Sequence, residues 1–309
     1  MSDVSICICT FRRPELLRRL LIAIHAQEET SMSVQVVVID NDPQHSAAQV
    51  LSDMQTIYGD RLTFASLAQP NISLARNAAI GLATGKWIVM VDDDEYPQSD
   101  WLKQLFHQQH KQAADVVFAP VLPEYADNTP AWIKKGKYFD RRRLPSGTTI
   151  GHKDARSGNV LVRRSVLDSI FSGAEGPFDP AYGRSGGEDS MLFRQMAASG
   201  AKMIWCDEAP VYEYVPLERA TAFWLLQRSF RTGQLFMRTE LETSDPAHRR
   251  RRALFLSFKA IAQMGVAFIL ALICVLFSPL KAFHWLRTCV SQLGKLNHFR
   301  GKFQEAYGL

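Results

Sequence analysis

The sequence predicts an α/β protein, a mostly parallel sheet with helices on both faces. Two observations predict it. Short, β-branched apolar runs alternate with amphipathic segments through the first 120 residues, and strands spaced by helices in this way pair in parallel. One run, KWIVMVDDDEYP at residues 86–97, passes straight from apolar residues into Asp92, Asp93, Asp94 and Glu95, and sheets of this kind bind ligands beyond the carboxyl ends of their strands.

The elements follow in order. Val4 to Cys9 is β-branched and alternating, a first strand. Pro14 suits a first helical turn, and Leu16, Leu17, Leu20, Leu21 and Ile24 repeat at helical spacing. Val34 to Ile39 is a second strand, followed by a loop with Asp42 and Pro43 and a helix to about Ile57. Leu62 to Leu67 is a third strand. Ser73 can cap a helix running to Thr84, with Gly85 as its stop. Lys86 to Val91 is a strand, Ser99 or Asp100 caps the next helix, and Asp115 to Ala119 is a fifth strand.

Beyond residue 120 the regularity weakens. Residues 121–157 read as a long loop, and long loops within a domain are usually functional. Asn159 to Val162 is a strand, Glu188 to Ser199 a helix, Lys202 to Cys206 a short strand, and Glu218 to about Glu240 a long helix. Arg228 and Arg231, three apart on that helix, share a face.

By the carboxyl-end rule, Thr10 to Arg13, Asp40 to Asp42 and Asp92 to Glu95 converge on one crevice. No G-x-G-x-x-G follows the first strand and no P-loop motif occurs, so neither a dinucleotide cofactor nor a P-loop nucleotide site is expected. Clustered carboxylates repel one another. Mg²⁺ or Mn²⁺, which take carboxylate and phosphate oxygens, would explain their presence; a solvated acidic turn is the alternative.

The net charge of +5 matters less than its placement. Arg249–Arg252 and Arg141–Arg143 are unbroken basic runs, but no helix-turn-helix, zinc-finger or RNP pattern accompanies them, so no nucleic-acid partner is expected. Five scattered cysteines make no metal spacing and suggest a reducing compartment. Cys7 and Cys9 share one side of a strand and read as small core residues. The chain enters a strand almost at once, so no signal peptide is expected. From Ala260 to Leu280 no residue is charged, and about 20 such residues can span a bilayer. Arg249–Arg252 upstream and Trp285 downstream suit a membrane surface. Pro279 and the cations on both flanks favour a re-entrant or surface-lying segment over a simple span.

Five pieces then fall in a specific order: VSICICTFRRPELL, VVVIDND, NISLARNAAIGLATGKWIVMVDDDEYP, SGNVLVRRSVL and FDPAYGRSGGEDSMLFRQM. Over about residues 4–240 the chain resembles the inverting, nucleotide-sugar-dependent glycosyltransferases of family two, which have the GT-A fold. It is most similar to bacterial enzymes that build surface or exopolysaccharide units on lipid carriers. The resemblance implies a catalytic domain at 1–240, with a nucleotide-sugar half to about 120 and an acceptor half from 121. A basic, hydrophobic membrane-associating region follows at 241–309. It implies Thr10, Phe11 and Arg13 at the rim of the base, Asp40 and Asn41 at the base edge, and Arg76 and Asn77 lining the nucleotide site with Arg76 near the diphosphate. Asp94 would hold Mn²⁺ or Mg²⁺ directly. Asp92 would contact the ribose or the metal shell, and Asp93 is the variable middle position, pointing away from its neighbours. Asp189 would be the general base and Glu188 would help bind the acceptor or position the helix. Arg228 and Arg231 would face phosphate, and Arg141–Arg143 an acceptor pyrophosphate or solvent.

The implied activity moves a sugar from a nucleoside-diphosphate donor, UDP favoured, to a glycan or lipid-linked acceptor at the cytoplasmic face of the inner membrane. A nucleotidyltransferase of related fold and a non-catalytic, membrane-bound nucleotide-sugar scaffold are the alternatives. The first would want a Gly-rich loop where TFRRPE stands, and the second has no need of Asp189.

Overall fold

The structure is a computed structural model and describes residues 2–28, 31–171, 176–301 and 303. The chain divides into two compact units: Met1–Glu124 with Arg141–Tyr214, and Tyr125–Asp140 with Val215–Glu305.

The first unit begins with β1 (Val4–Thr10), α1 (Pro14–His25), β2 (Val34–Asp40), α2 (Ala48–Tyr58), β3 (Leu62–Ser66), α3 (Ile72–Leu82) and β4 (Trp87–Met90). There follow β5 (Glu95–Pro97), α4 (Trp101–Gln112), β6 (Val116–Phe118) and β7 (Val121–Tyr125). After α5 (Ala131–Gly136), which belongs to the second unit, come β8 (Val160–Arg163), α6 (Arg164–Ile170), α7 (Glu188–Ala198), β9 (Met203–Trp205) and β10 (Val211–Val215). The main sheet has seven strands in the order β3-β2-β1-β4-β8-β6-β9, and a second has three in the order β5-β10-β7. In the main sheet β8 alone runs antiparallel to its neighbours. The expected mixed α/β fold with a mostly parallel sheet is present.

Two cores sandwich the sheet, and β1 shows how the sequence sorts them. Val4, Ile6 and Ile8 enter one core with Leu17, Leu20 and Leu21 of α1. Cys7 and Cys9, two residues apart and so on the opposite face, pack toward Ala75 and Ala79 of α3. Small thiols against alanines let the helix approach closely, and burial pushes the Cys7 thiol up to about 12.

The register of β8 places Val160 opposite Met90, so the segment that enters β8 lies beside the acidic end of β4. Asn159 fixes that entry from a left-handed backbone at φ 55°. Its Oδ1 accepts from Trp101 Nε1, and its Nδ2 donates to the carbonyls of Pro120 and Ala209, all at 2.8 Å.

Several boundaries differ from the sequence reading. The cap of α3 is Asn71, whose side chain accepts from the Leu74 amide at 3.1 Å, and Ser73 is a buried residue within the first turn. The supposed loop 121–157 contains β7 and α5.

In the second unit, α8 (Ala222–Glu242) starts four residues later than expected because Thr221 caps it. Then come α9 (Arg249–Val275) and α10 (Pro279–Asn297), with Pro279 opening the new helix.

Asn159→Ala should destabilise the protein by about 3 kcal/mol, because it orphans three buried polar partners at once. Denaturant unfolding of the purified chain measures this, and a change below about 1 kcal/mol would contradict it.

Candidate active site

The carboxyl end of β4 and the start of α7 together present six acids within the first unit: Asp92, Asp93, Asp94, Glu95, Glu188 and Asp189. Arginines from the neighbouring elements hold them apart.

Arg76 rises from α3, its side chain only 9 % exposed. It donates through Nη1 to the buried Glu188 carboxylate and through Nη2 to Asp92 Oδ1 at 3.3 Å, while its guanidinium faces the Phe178 ring at 5.4 Å. Arg76 thus joins the acidic end of β4 to the start of α7. Its neighbour Asn77 locks the Phe178 backbone from both sides, donating to its carbonyl at 2.7 Å and accepting from its amide at 2.8 Å.

Arg13, just before α1, does the same on the other flank. Its Nη1 donates to Asp93 Oδ1 and to Asp94 Oδ2, each at 2.9 Å. Asp93 also accepts from Thr10 Oγ1 at 2.9 Å and from the Phe11 amide at 3.4 Å. Because β4 ends at Met90, strand alternation does not extend to Asp93. It turns inward with Asp94 and ties the loop after β1 to the loop after β4. Burial lifts the Asp93 carboxyl above its ordinary value, and Arg13 opposes that.

Asp40 accepts from the amides of Asp42 and Ala47 at 3.0 and 2.9 Å, which shapes the loop after β2. Asn41 is buried, and its Oδ1 accepts from the Asn71 amide at 3.2 Å. The three predicted stretches therefore do meet along one edge of the sheet. Arg228 and Arg231 lie on α8 in the second unit, where Arg228 sits over the rings of Phe139 and Trp224.

The glycines of SGGEDS aim the two acids of α7. Gly186 and Gly187 adopt φ of 85° and 98°, a region side chains resist. Glu188 is driven inward, and Asp189 is left half-buried with Oδ1 accepting from the Ser190 amide at 2.6 Å. Among the described residues Asp189 Oδ2 has no hydrogen-bond partner. Burial pushes the Glu188 carboxyl up to about 7, Arg76 resists the rise, and the charge of Asp189 adds to it.

Two residues went unnoticed in the sequence. Glu95 counted there only as one more acid. It is 1 % exposed, Oε2 accepts from the Asp92 amide at 3.1 Å, and Oε1 is buried without a partner. Burial, with the Asp92 charge, pushes its carboxyl well above the usual range. A Cβ on Gly158 would fall 2.6 Å from Glu95 Oε1 and 3.4 Å from Asp92 Oδ2, so any larger residue there would have to displace the Glu95 carboxyl. Arg156 stands alone in the sequence and gave no signal. It lines a cleft with Arg141, Arg142 and Asp154, where desolvation and the Arg141 charge lower its basicity and Asp189 opposes them. The basic run is paired throughout: Arg141 with Glu213 at 2.5 Å, Arg142 with Asp154 at 3.4 Å and Arg143 with Asp207 at 2.7 Å. Among the described residues Arg156 makes no hydrogen bond or ion pair.

The donor set suits a hard divalent cation. Asp92 is half-exposed and anionic oxygens dominate the edge. No three metal-binding side chains converge among the described residues.

Residues 5–171 match the family described as Glycosyl transferase family 2. The chain is 31 % identical over 273 residues to the succinoglycan biosynthesis protein ExoM of Rhizobium meliloti, covering 88 % of this chain and 84 % of that protein. It is 24 % identical over 242 residues to a glucosyl-dolichyl phosphate glucuronosyltransferase of Haloferax volcanii, covering 74 % and 75 %. Among solved structures it resembles the mannosyltransferase PcManGT from Pyrobaculum calidifontis in complex with GDP-Man and Mn²⁺, with a TM-score of 0.67 at 16 % identity over 97 % of this chain and 88 % of that one. It also resembles S. aureus TarS 1-349 in complex with UDP-GlcNAc, with a TM-score of 0.52 at 15 % identity over 99 % and 98 %. These likenesses give the fold as GT-A.

The raised Glu188 carboxyl has a consequence for stability. The folded chain holds this proton more tightly than the unfolded chain, whose value is the ordinary 4.5. Its contribution is therefore full below about pH 4.5 and is lost as pH rises toward about 7. Glu188→Gln should flatten the fall in melting temperature over that window, and an unchanged pH profile would contradict the assignment.

Proposed function

This chain belongs to glycosyl transferase family 2, and on that premise we propose an inverting transfer from a nucleoside-diphosphate sugar, UDP-linked by preference, to a hydroxyl of a lipid-linked glycan. That it is a glycosyltransferase of polysaccharide biosynthesis follows from the family and its relatives, which sets aside the nucleotidyltransferase and scaffold readings. The observation that carries the finer proposal is the Arg76 bridge, which holds Asp92 and the start of α7 in one unit.

The donor lies along the loops after β1, β2 and β4, with its diphosphate toward Asp92 and Asp94. Asp92 and Asp94 would hold a divalent cation, which would supply positive charge to a departing nucleoside diphosphate. Asp189 Oδ2 takes the proton of the acceptor hydroxyl. The acceptor oxygen then bonds to the anomeric carbon as the bond to phosphate breaks, so one displacement inverts the centre. Glu188 and Arg76 act through position: they fix the start of α7 and hence Asp189.

In the small cleft where Arg141 pairs with Glu213 and Arg142 with Asp154, Arg156 supports an acceptor that carries phosphate, as a lipid-linked glycan does. We assign residues 1–120 to the donor, 121–240 to the acceptor, and 241–309 to attachment at the cytoplasmic face of the inner membrane. The long apolar α9 supports that attachment.

A screen of nucleotide sugars with Mn²⁺ or with chelator, read as released nucleoside diphosphate, tests the chemistry. Asp189→Asn should keep nucleotide binding while transfer falls by about 10²- to 10⁴-fold; persistence of transfer would remove Asp189 as the base. Asp94→Asn should abolish the metal-dependent part of nucleotide binding, measured by calorimetry with and without chelator. Binding that stays equally metal-dependent would overturn the role of Asp94.

A further inference from the structure

The second unit stacks three helices. α10 packs along both α8 and α9, whereas α9 meets little besides α10. Where α10 lies on α8 the backbones nearly touch: a Cβ on Gly233 would overlap the Ser291 carbonyl, and one on Gly294 the Phe230 carbonyl. Cations of α10 are engaged there as well. Arg287 Nε donates to Ser229 Oγ at 3.2 Å, and Lys295 Nζ lies 4.5 Å from the Phe236 ring.

α9 inverts the pattern of a helix in a water-soluble protein. Its buried positions are few and mostly small: Leu256, Ala260, Ala267 and Ala271. Its large apolar residues face outward, Phe258 at 74 % and Leu272 at 57 % exposure, and the turn after it leaves Phe277 at 82 %. Exposed apolar surface of this extent marks an interaction site. Cations bracket its apolar part, with Arg249–Arg252 and Lys259 exposed before it and Lys281 exposed just beyond its end.

We propose that α9 lies in the plane of the membrane, immersed in one leaflet of an anionic bilayer, with the chain entering and leaving on the same side. Cations at both ends match phosphate headgroups, which makes an anionic leaflet the fitting occupant. A perpendicular α9 is disfavoured twice. The uncharged helical stretch 260–275 is about 24 Å long at about 1.5 Å per residue, short of a hydrocarbon core of about 30 Å. And α10, packed along α9, would carry Lys281, Arg287 and Lys295 into hydrocarbon, where charges are costly. Lying flat, α9 enters the acyl region while α10 stays at headgroup level. The inference rests on the membrane attachment proposed above and not on the sugar chemistry.

The test uses the full chain with an environment-sensitive fluorescent amino acid at position 258, 268 or 277, each a phenylalanine in the native chain. The protein is bound to phosphatidylcholine vesicles with or without phosphatidylglycerol, and quenching by shallow and deep brominated lipids is compared. All three positions should report the same shallow depth. A depth that peaks at 268, or increases steadily to 277, would overturn the in-plane placement. No quenching together with a concentration-dependent dimer would assign the face to a second copy of the chain and also overturn it. Reversing Arg250 and Arg251 to Glu should weaken binding to the anionic vesicles at least about tenfold; unaltered binding would refute the anionic partner. Donor turnover in detergent is measured alongside. Its loss in the unaltered protein would count against the transferase scheme, and a shallow, even depth profile would stand regardless.

Discussion

Arg76 is the contact on which the candidate site depends. Six acids face one edge of the sheet, and without compensation they would repel or stay protonated. A nearly buried guanidinium between Asp92 and Glu188 converts part of that repulsion into a joint. Removing one partner of such a joint leaves an uncompensated buried charge, which costs far more than the intact pair contributes. Arg13 repeats the device between Asp93 and Asp94. The two arginines come from α3 and from the residue before α1, so the packing of those helices on the sheet sets where the carboxylates stand.

Around these charged joints the edges of the site are held by amides. Asn41 meets Asn71, Asn71 caps α3, Asn77 grips Phe178 and Asn159 ties three segments together. An amide donates and accepts at once and does not titrate. The frame therefore keeps its shape whatever the protonation of Glu188 and Glu95, whose carboxyls burial lifts.

Much of the fold was legible because strand and helix periods are local. Val4 to Cys9, Val34 to Ile39 and the leucines of α1 announce their elements and buried faces without reference to partners. The reversed direction of β8 was not legible, since Val160 to Val162 reads the same either way. The cap of α3 was misread because Ser73 and Asn71 are both capping residues, and only the turn shows which one reaches an amide. In the site, the acidic run and SGGEDS were visible as residue types in place. Arg13 and Arg76 were legible as site residues, but their pairing with those acids was not, because they meet them across 80 and 112 positions of chain. The basic run at 141–143 drew the eye while isolated Arg156 did not, yet Arg141 and Arg143 already have acidic partners.

Gly186 and Gly187 also bear on heredity. They set the direction of both acids through backbone angles, not through any functional group. Any change from glycine at either codon puts a side chain on a left-handed backbone that it adopts only at a cost, next to both acids. A random-mutagenesis survey scored on activity would accordingly mark this pair as intolerant as the acids themselves.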